Sequence, residues 1–218
     1  MSRFTLCSAS SQGVVSAQSW DESLANHLTH LVNQAKGAHT VWWLDIRDAS
    51  EEDVLHASRT LGVHPLTVED IVTREPREKV EVFRNYYLIS FQTLVSREED
   101  GDGNAVVDES PSSAVLFILV FLNGVLTFSP GGCNHAYRVR DRIRKLYDPG
   151  VLSGDWICYA LMYVLTPLFG VLRHRIYYTN LTAMILSTAS LRTCKRPLAN
   201  QKPSKTKCLS SAQTTSKP

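Results

Sequence analysis

Two adjacent carboxylates, Glu69 and Asp70, lie in the stretch of this chain that is most informative about its chemistry. Carboxylate oxygens are the ligands that hard cations such as Mg²⁺ prefer. The preceding His64-Pro65 step disfavours helix at His64, whereas proline is well tolerated at a first helical position, so we expect a short helix to begin at Pro65. Its buried side is expected to carry three apolar residues, Leu66, Val68 and Ile71. Both carboxylates would then stabilise the helix start, where the helix dipole favours anions.

Two other motifs could hold ions, and each departs from the pattern that its chemistry requires. The run from Asp100 to Asn104 imitates the start of an EF-hand loop, but the loop's sixth position is Ala105 and its twelfth is Pro111. His27 and His30 fall three residues apart on an expected helix without an evident third ligand. The sequence shows no nucleophile and base pair, no phosphate-binding glycine loop and no metal triad, so an enzyme is not expected.

Turn and capping signals divide the chain into helices and strands that could position these residues. We expect helices at Asp21–Ala35, at 51–61 after a Ser50/Asp53 capping box, and around Val139–Leu146. We expect strands at Val41–Ile46, Lys79–Phe83, Tyr86–Val95, Val115–Leu122 and Val125–Phe128, the last two flanking an Asn123-Gly124 hairpin turn. Trp43, Leu44, Leu88, Ile89, Leu116 and Ile118 should lie in these strands. The fold class is therefore predicted to be α/β, a mixed-sheet α/β sandwich over residues 38–155.

Charge is distributed very unevenly along the chain. Residues 1–155 contain 14 basic and 21 acidic residues, a net charge of −7, whereas residues 156–218 contain 9 basic and no acidic residues. An acidic domain repels nucleic acid, so no nucleic-acid partner is expected, and the arginines after Gly132 are expected to form a solvated helix face. The five cysteines include no C-x-x-C pair, which argues against a zinc site or a disulfide framework.

The composition predicts one folded domain with tails of different character. Residues 1–20 are Ser-rich and are expected to be disordered, and residues 21–155 should form the domain. Residues 156–191 form an apolar helical segment, soluble or membrane-interfacial, and 156–172 are uncharged but short of the roughly 20 apolar residues of a typical membrane span. We expect a partly buried or interfacial helix there. Residues 192–218 are polar and basic and are expected to be disordered.

The order of motifs resembles the cytoplasmic N-terminal domain of CorA-type magnesium transporters. The most specific combination is HPLTVEDI at residues 64–71 followed by REPREKVE at 74–81. VWWLDI at 41–46 resembles the family's first core strand, VLFILVFLNGVLTF at 115–128 its hairpin, and SGDWICYAL at 153–161 the start of the helix that leads toward the membrane. The resemblance extends over about residues 38–161 and implies the CorA-like fold.

The resemblance also implies a site and partners. In CorA-like proteins the aspartate at the position of Asp70, with Glu69 beside it, helps form a regulatory divalent-cation site between neighbouring subunits, so we expect a weak regulatory Mg²⁺ site here. The family's partner carboxylate lies on a helix that this chain lacks. CorA-like subunits assemble as pentamers, which implies a homo-oligomer or assembly with full-length CorA-like subunits, associated with a membrane.

The expected function is that of a cytoplasmic regulatory, metal-sensing domain of a CorA-like magnesium transporter. The sequence contains no Gly-Met-Asn pore signature and ends at Pro218, so we expect a chain truncated before the pore helices that is not transport-competent alone. It would face the cytoplasm as part of a membrane transporter, or be cytoplasmic by itself. The alternative is a small membrane-attached protein, anchored through 156–191, with an acidic cytosolic domain and positive charge at 173–175.

Overall fold

The computed structural model describes residues 2–8, 14–37, 40–95, 112–145 and 152–165. The strands are β1 (Phe4–Ser8), β2 (Val14–Ala17), β3 (Trp42–Arg47), β4 (Lys79–Val82), β5 (Tyr86–Val95), β6 (Ser112–Phe121) and β7 (Gly124–Ser129). The helices are α1 (Glu22–Gly37), α2 (Glu51–Leu61), α3 (Pro65–Val72), α4 (His135–Arg144) and α5 (Gly154–Leu165). The predicted motifs at 96–111, including the EF-hand-like run, and at 166–218 lie outside the described residues.

The described strands form one seven-stranded sheet in the order β2-β1-β3-β7-β6-β5-β4. β3 and β7 pair in parallel, Trp42 opposite Gly124 and Asp45 opposite Thr127. The other neighbouring strands of this sheet pair antiparallel. The predicted mixed-sheet α/β fold is therefore confirmed, and the six residues predicted to lie in strands all do so.

Helices cover both faces of the sheet. Each strand contributes side chains to both faces, because successive residues of a strand point to opposite sides. Trp43 and Tyr87 pack on the face that carries α4 and α5. Their chain neighbours Trp42 and Tyr86 pack on the face that carries α1, α2 and α3. A central strand that is buried on both faces reads as a continuous apolar run, which explains the run at 41–46.

Several helix boundaries follow from the local signals predicted in the sequence. α1 begins after Asp21, whose carboxylate accepts a hydrogen bond from the Leu24 amide at 2.7 Å. α2 begins with a capping box in which the side chains of Ser50 and Asp53 each accept the other's backbone N–H. It ends at Gly62, which adopts the left-handed conformation at φ 67°.

The N-terminus contains strands, so the prediction of disorder for residues 1–20 was wrong in the part that the structure describes. β1 pairs with both β2 and β3, and its Phe4 and Leu6 side chains are buried under the α1 and α2 side of the sheet. Arg3 forms an ion pair with Asp53 of α2. The Ser-rich composition was misleading because two buried apolar residues and a tertiary ion pair are enough to fix a short strand against a central one.

The β6–β7 hairpin forms where predicted, but Gly124 has a different role from the predicted one. Phe121 pairs with Gly124, so Leu122 and Asn123 form the turn and Gly124 already belongs to β7. A Cβ atom at Gly124 would lie 2.0 Å from the indole ring of Trp42. The glycine is therefore required by the close approach of a tryptophan, and Asn123 holds the turn by donating a hydrogen bond to the Ala35 carbonyl at 2.6 Å.

Candidate functional site

The segment that carries Glu69 and Asp70 folds as α3, and its start is capped by His64. The His64 Nδ1 accepts a hydrogen bond at 3.2 Å from a backbone amide of the first turn. That first turn contains no acidic residue, because both carboxylates lie in the second half of a helix that ends at Val72. The prediction that Glu69 and Asp70 stabilise the helix start is therefore wrong. What Asp70 does is indicated instead by its side-chain contacts.

The orientation of α3 is fixed by Thr67, which the sequence analysis did not select. Thr67 is fully buried, and its hydroxyl lies 2.7 Å from the hydroxyl of Tyr86. Ile71 is buried as predicted, but Leu66 is 59% exposed, so its predicted burial was wrong. Because residues four apart share a helix face, the exposed Leu66 lies one turn before Asp70 on the same side.

Asp70 forms an ion pair with Lys79, the first residue of the edge strand β4. The Lys79 Nζ lies 2.8 Å from Asp70 Oδ2 and 3.1 Å from Glu81 Oε1, so one ammonium bridges two carboxylates. The side chains of Lys79 and Asp70 are 21% and 18% exposed. Hydrogen bonding to Asp70, the largest cause, raises the pKa of the Lys79 ammonium above its ordinary value. The bridging group is therefore a cation at neutral pH.

The backbone of Lys79 is anchored independently of its side chain. Its amide donates a hydrogen bond at 3.0 Å to the hydroxyl of Ser90, and that hydroxyl donates at 2.6 Å to the Arg77 carbonyl. β4 also pairs with β5 along its length, Lys79 opposite Ser90. Sequence analysis missed Lys79. A single lysine between Glu78 and Glu81 at the start of a strand could have indicated that its ammonium pairs with a nearby carboxylate.

The oxygen atoms at this position suit a hydrated Mg²⁺ ion, which needs only one or two carboxylates and keeps several waters. Asp70 and Glu81 approach the same point in space, while Glu69 is exposed on the neighbouring position of α3. Within the described ranges, no three Asp, Glu, His or Cys side chains converge to hold an ion. Further ligands would have to be water or groups from another chain.

A second acidic centre, which the sequence analysis missed, lies inside the fold at Asp45 of β3. Its side chain is only 2% exposed. The Oδ1 atom accepts hydrogen bonds from the hydroxyls of Thr127 and Ser129, both at 2.6 Å. The Oδ2 atom accepts from Arg140 Nη1 at 3.1 Å. An aspartate within the apolar run at 41–46 was a signal of this network, because a buried charge requires partners.

Arg140 corrects part of the prediction for the arginines of α4. Arg138, Arg142 and Arg144 are exposed, as expected for a solvated face. The side chain of Arg140 is only 11% exposed, and its guanidinium lies 5.6 Å from the centre of the Trp43 ring. The indole N–H of Trp43 in turn donates to Thr127 Oγ1 at 3.1 Å. Arg140 therefore fixes α4 to β3 and β7 and is unavailable to a ligand in solvent.

α4 has another polar contact with the sheet through His135. The His135 Nε2 lies 2.7 Å from the hydroxyl of Thr93, and its Nδ1 is buried without a hydrogen-bond partner among the described residues. Burial, with a smaller contribution from the positive charge of Arg138, lowers the pKa of His135 below its ordinary value. This histidine is therefore held neutral in the fold.

α5 packs against the sheet and has a polar contact at its start. The Tyr87 hydroxyl donates to Asp155 Oδ1 at 2.7 Å, and the remainder of the buried side of the helix is apolar. Residues 156–165 of the predicted apolar segment thus belong partly to the core, while its continuation at 166–191 lies outside the described residues. Among the helices that the structure describes, none is long and apolar enough to cross a bilayer.

The remaining sequence candidates form no site in the described residues. His27 and His30 line a shallow depression on α1 with Glu22, Ser23 and Asn26. The thiols of Cys7, Cys133 and Cys158 are unpaired. Burial raises the pKa of Cys7 and of Cys133 to about 11 and that of Cys158 to about 12, which favours the protonated thiol at neutral pH. Cys194 and Cys208 lie outside the described residues.

Comparison with known proteins shows which proteins this chain is similar to. No family model matches the chain. The magnesium transporter ALR2 of Saccharomyces cerevisiae is 36% identical over 143 residues, which cover 66% of this chain and 16% of the transporter. ALR1 of the same yeast matches with the same identity and the same coverage. The cobalt/magnesium transport protein CorA of Thermotoga maritima is 31% identical over 145 residues, covering 65% of this chain and 38% of that protein.

Among solved structures, the soluble domain of CorA from Methanocaldococcus jannaschii matches with a TM-score of 0.44 and 18% identity, over 71% of this chain and 56% of that one. The sequence matches show that this chain is homologous to a segment of CorA-type magnesium transporters, and the resemblance identified from its motifs is confirmed. The chain spans a minor part of the length of the relatives that it matches.

Proposed function

We propose that this chain is a cytoplasmic regulatory domain of a CorA-like magnesium transporter, and that it senses divalent cations through Asp70 and Glu69. The observation that carries the proposal is the 36% identity over 143 residues to a magnesium transporter. It is supported by the partly exposed Asp70 carboxylate, which is held in place by a cation. In this proposal Mg²⁺ binds weakly, and its occupancy depends on assembly with further chains.

The proposed assembly would place an interface on the side of the domain that carries Asp70. Leu66, one turn before Asp70, exposes 59% of its side chain and would be covered in that interface. We propose that the partner is a second copy of this chain or a full-length CorA-like subunit, as in the pentamers of the family. The assembly would lie at a membrane with this domain on the cytoplasmic side.

We further propose that these 218 residues do not conduct ions and catalyse no reaction. The sequence contains no Gly-Met-Asn pore signature, and it shows no nucleophile and base pair, phosphate-binding glycine loop or metal triad. Purified chain reconstituted into liposomes should therefore give no Mg²⁺ flux above that of empty vesicles. A flux that rises with the amount of protein would contradict this part of the proposal.

The alternative, a membrane-attached protein anchored through 156–191, has less support from the described residues. Ile157, Leu161 and Leu165 of α5 are buried against the sheet, so this part of the segment is already covered by protein. An anchor could then use only 166–191. Membrane fractionation with a carbonate wash separates the two proposals, because an inserted chain stays in the pellet whereas a peripheral domain is released.

The sensing proposal is tested by Mg²⁺-dependent self-association. Sedimentation velocity should show that millimolar Mg²⁺ shifts the wild-type chain toward larger species and that Asp70→Ala abolishes this shift without unfolding the domain. Asp141→Ala is the matched control, because Asp141 is also a carboxylate paired with a lysine, Lys145, but lies on α4. Identical responses of wild type and Asp70→Ala would show that Asp70 does not sense the ion.

A further inference from the structure

We infer that Lys79 is a built-in competitor of the divalent cation at Asp70, and that its ammonium sets the cation concentration at which the site fills. The inference rests on the proposed function, since it assumes that Asp70 is the carboxylate that meets Mg²⁺. It assigns to Lys79 a regulatory role, not that of a ligand.

The geometry places the ammonium where a bridging cation would lie. One Nζ atom contacts Asp70 Oδ2 at 2.8 Å and Glu81 Oε1 at 3.1 Å. A divalent ion that bridged these two oxygens would occupy the same space and meet the positive charge of Lys79. The ion and the ammonium therefore exclude each other, because two cations at this separation repel.

The side chain of Lys79 can leave this position without disturbing the fold. Its backbone is held by the hydrogen bond to Ser90 and by the ladder to β5, neither of which involves the ammonium. The side chain is partly exposed, and a lysine is a flexible stem with a strongly hydrated point charge. Displacement by a metal ion therefore requires only rotation of the stem into water.

The charges explain why the ammonium of Lys79 weakens the binding of a divalent ion. With Lys79 in place, the three side chains of Lys79, Asp70 and Glu81 carry a net charge of −1 by formal counting, whereas the two carboxylates alone carry −2. The unmasked pair matches a divalent ion better than the masked one does. At low Mg²⁺ concentration the ammonium of Lys79 occupies the site, and at higher concentration the ion replaces it.

The test is a Mg²⁺ titration of the full chain, followed by isothermal calorimetry and by the midpoint of thermal unfolding. Lys79→Gln should lower the half-saturating Mg²⁺ concentration by about two- to fivefold, the range expected from losing a partly exposed ion pair. The second variant, Lys79→Met, keeps an unbranched apolar stem and should lower the half-saturating Mg²⁺ concentration as Lys79→Gln does. Lys79→Arg keeps the charge and should bind Mg²⁺ no more tightly than wild type.

The outcomes separate this inference from the proposed function. If Lys79→Gln and Lys79→Met bind Mg²⁺ no more tightly than wild type, or not at all, the inference is overturned. Adding Asp70→Asn to Lys79→Gln should remove the gain. A gain in Lys79→Gln that persists when Asp70 is replaced would overturn both the inference and the assignment of Asp70. Loss of the wild-type response in Asp70→Asn, with no gain in Lys79→Gln, would leave the proposed function standing alone.

Discussion

Asp45 and Asp70 are both aspartates paired with a basic side chain, but their environments differ in every respect that decides whether a partner can be exchanged. Asp45 is buried and accepts hydrogen bonds from two hydroxyls and a guanidinium. Asp70 is partly exposed, and its carboxylate is paired with an ammonium that is itself shared with Glu81. The Asp45 carboxylate accepts from three protein donors, whereas the Asp70 carboxylate depends on one partly exposed ammonium.

The difference shows how one residue type serves two purposes in one fold. A buried ion pair with satisfied hydrogen bonds is costly to break, because removal of one partner leaves a charge in a medium of low dielectric constant. A partly exposed pair is weaker because water and salt compete with it. Asp45 therefore fixes the position of α4 on the sheet, while Asp70 remains available for another cation.

Loss of the buried partner should have the largest effect. Arg140→Met keeps much of the side-chain volume but leaves the Asp45 carboxylate without its counter-charge, and it should lower the free energy of unfolding by about 3–5 kcal/mol. Urea denaturation measures this change. Arg138→Met, at an exposed position of the same helix, is the control and should stay within about 0.5 kcal/mol of wild type. Equal effects of the two variants would mean that the buried pair contributes nothing.

Removal of a neutral donor from Asp45 should cost less. Thr127→Val preserves the shape of a fully buried side chain but takes one hydrogen bond from the carboxylate and the acceptor from the Trp43 indole. Hydrogen bonds to charged groups contribute about 1.5–3 kcal/mol, and we expect a loss of unfolding free energy in that range. Ser112→Ala, on the exposed part of β6, is a control for hydroxyl loss. A Thr127→Val protein as stable as wild type would show that Ser129 and Arg140 satisfy Asp45 without the Thr127 hydroxyl.

A smaller, pH-dependent loss is expected from His135, which anchors the same helix without a charge. Its pKa is lowered in the fold, so the unfolded chain binds the proton more readily. Stability is then full above the ordinary pKa of 6.5 and falls as the pH drops below it, toward the folded-state pKa. Unfolding measured at several pH values should show this decline in wild type and a flatter profile in His135→Gln. A profile that the substitution leaves unchanged would assign the decline to other groups.

The smallest effect should come from the surface pair. Lys79→Gln in the absence of divalent ions should change the free energy of unfolding by only about 0.2–1 kcal/mol, as measured for exposed ion pairs. The difference from wild type should shrink further in 1 M salt, where the Debye length, beyond which charges are screened from each other, is only about 3 Å. The effect of Arg140→Met should persist in the same salt, because its partner is buried. If high salt reduced both effects equally, the two regions would not differ in the way described.

Local signals predicted much of the fold because their causes are local. The capping box at Ser50, the helix start at Pro65 and the strand at Tyr86–Val95 depend on neighbouring residues, and each is present in the structure. The strands near the N-terminus were missed because β1 is held by pairing with β3, which lies more than 30 residues further along the chain, and β2 pairs in turn with β1.

The candidate site was predicted less completely for the same reason. The motif and its family resemblance selected Asp70, but neither gave the direction in which its side chain points. Lys79 was missed because its ammonium contacts Asp70 only after the chain has turned between α3 and β4, and the sequence does not give the geometry of that turn. The Asp45 to Arg140 pair joins residues 95 positions apart, and no local pattern reports which of several arginines on α4 faces inward.

The parallel pairing of β3 with β7 has a consequence for the order in which the chain folds during synthesis. β3 is buried in the middle of the sheet, but its parallel partner is the last described strand, and Asp45 and Thr127 are 82 residues apart. A ribosome adds about 5–20 residues per second, so β3 waits roughly 4–16 seconds for β7 to emerge. During that interval the apolar edge formed by Trp42, Trp43 and Leu44 is open to other chains. Chaperones that bind nascent apolar strands should therefore engage this protein before residue 124 has left the exit tunnel and release it soon afterwards.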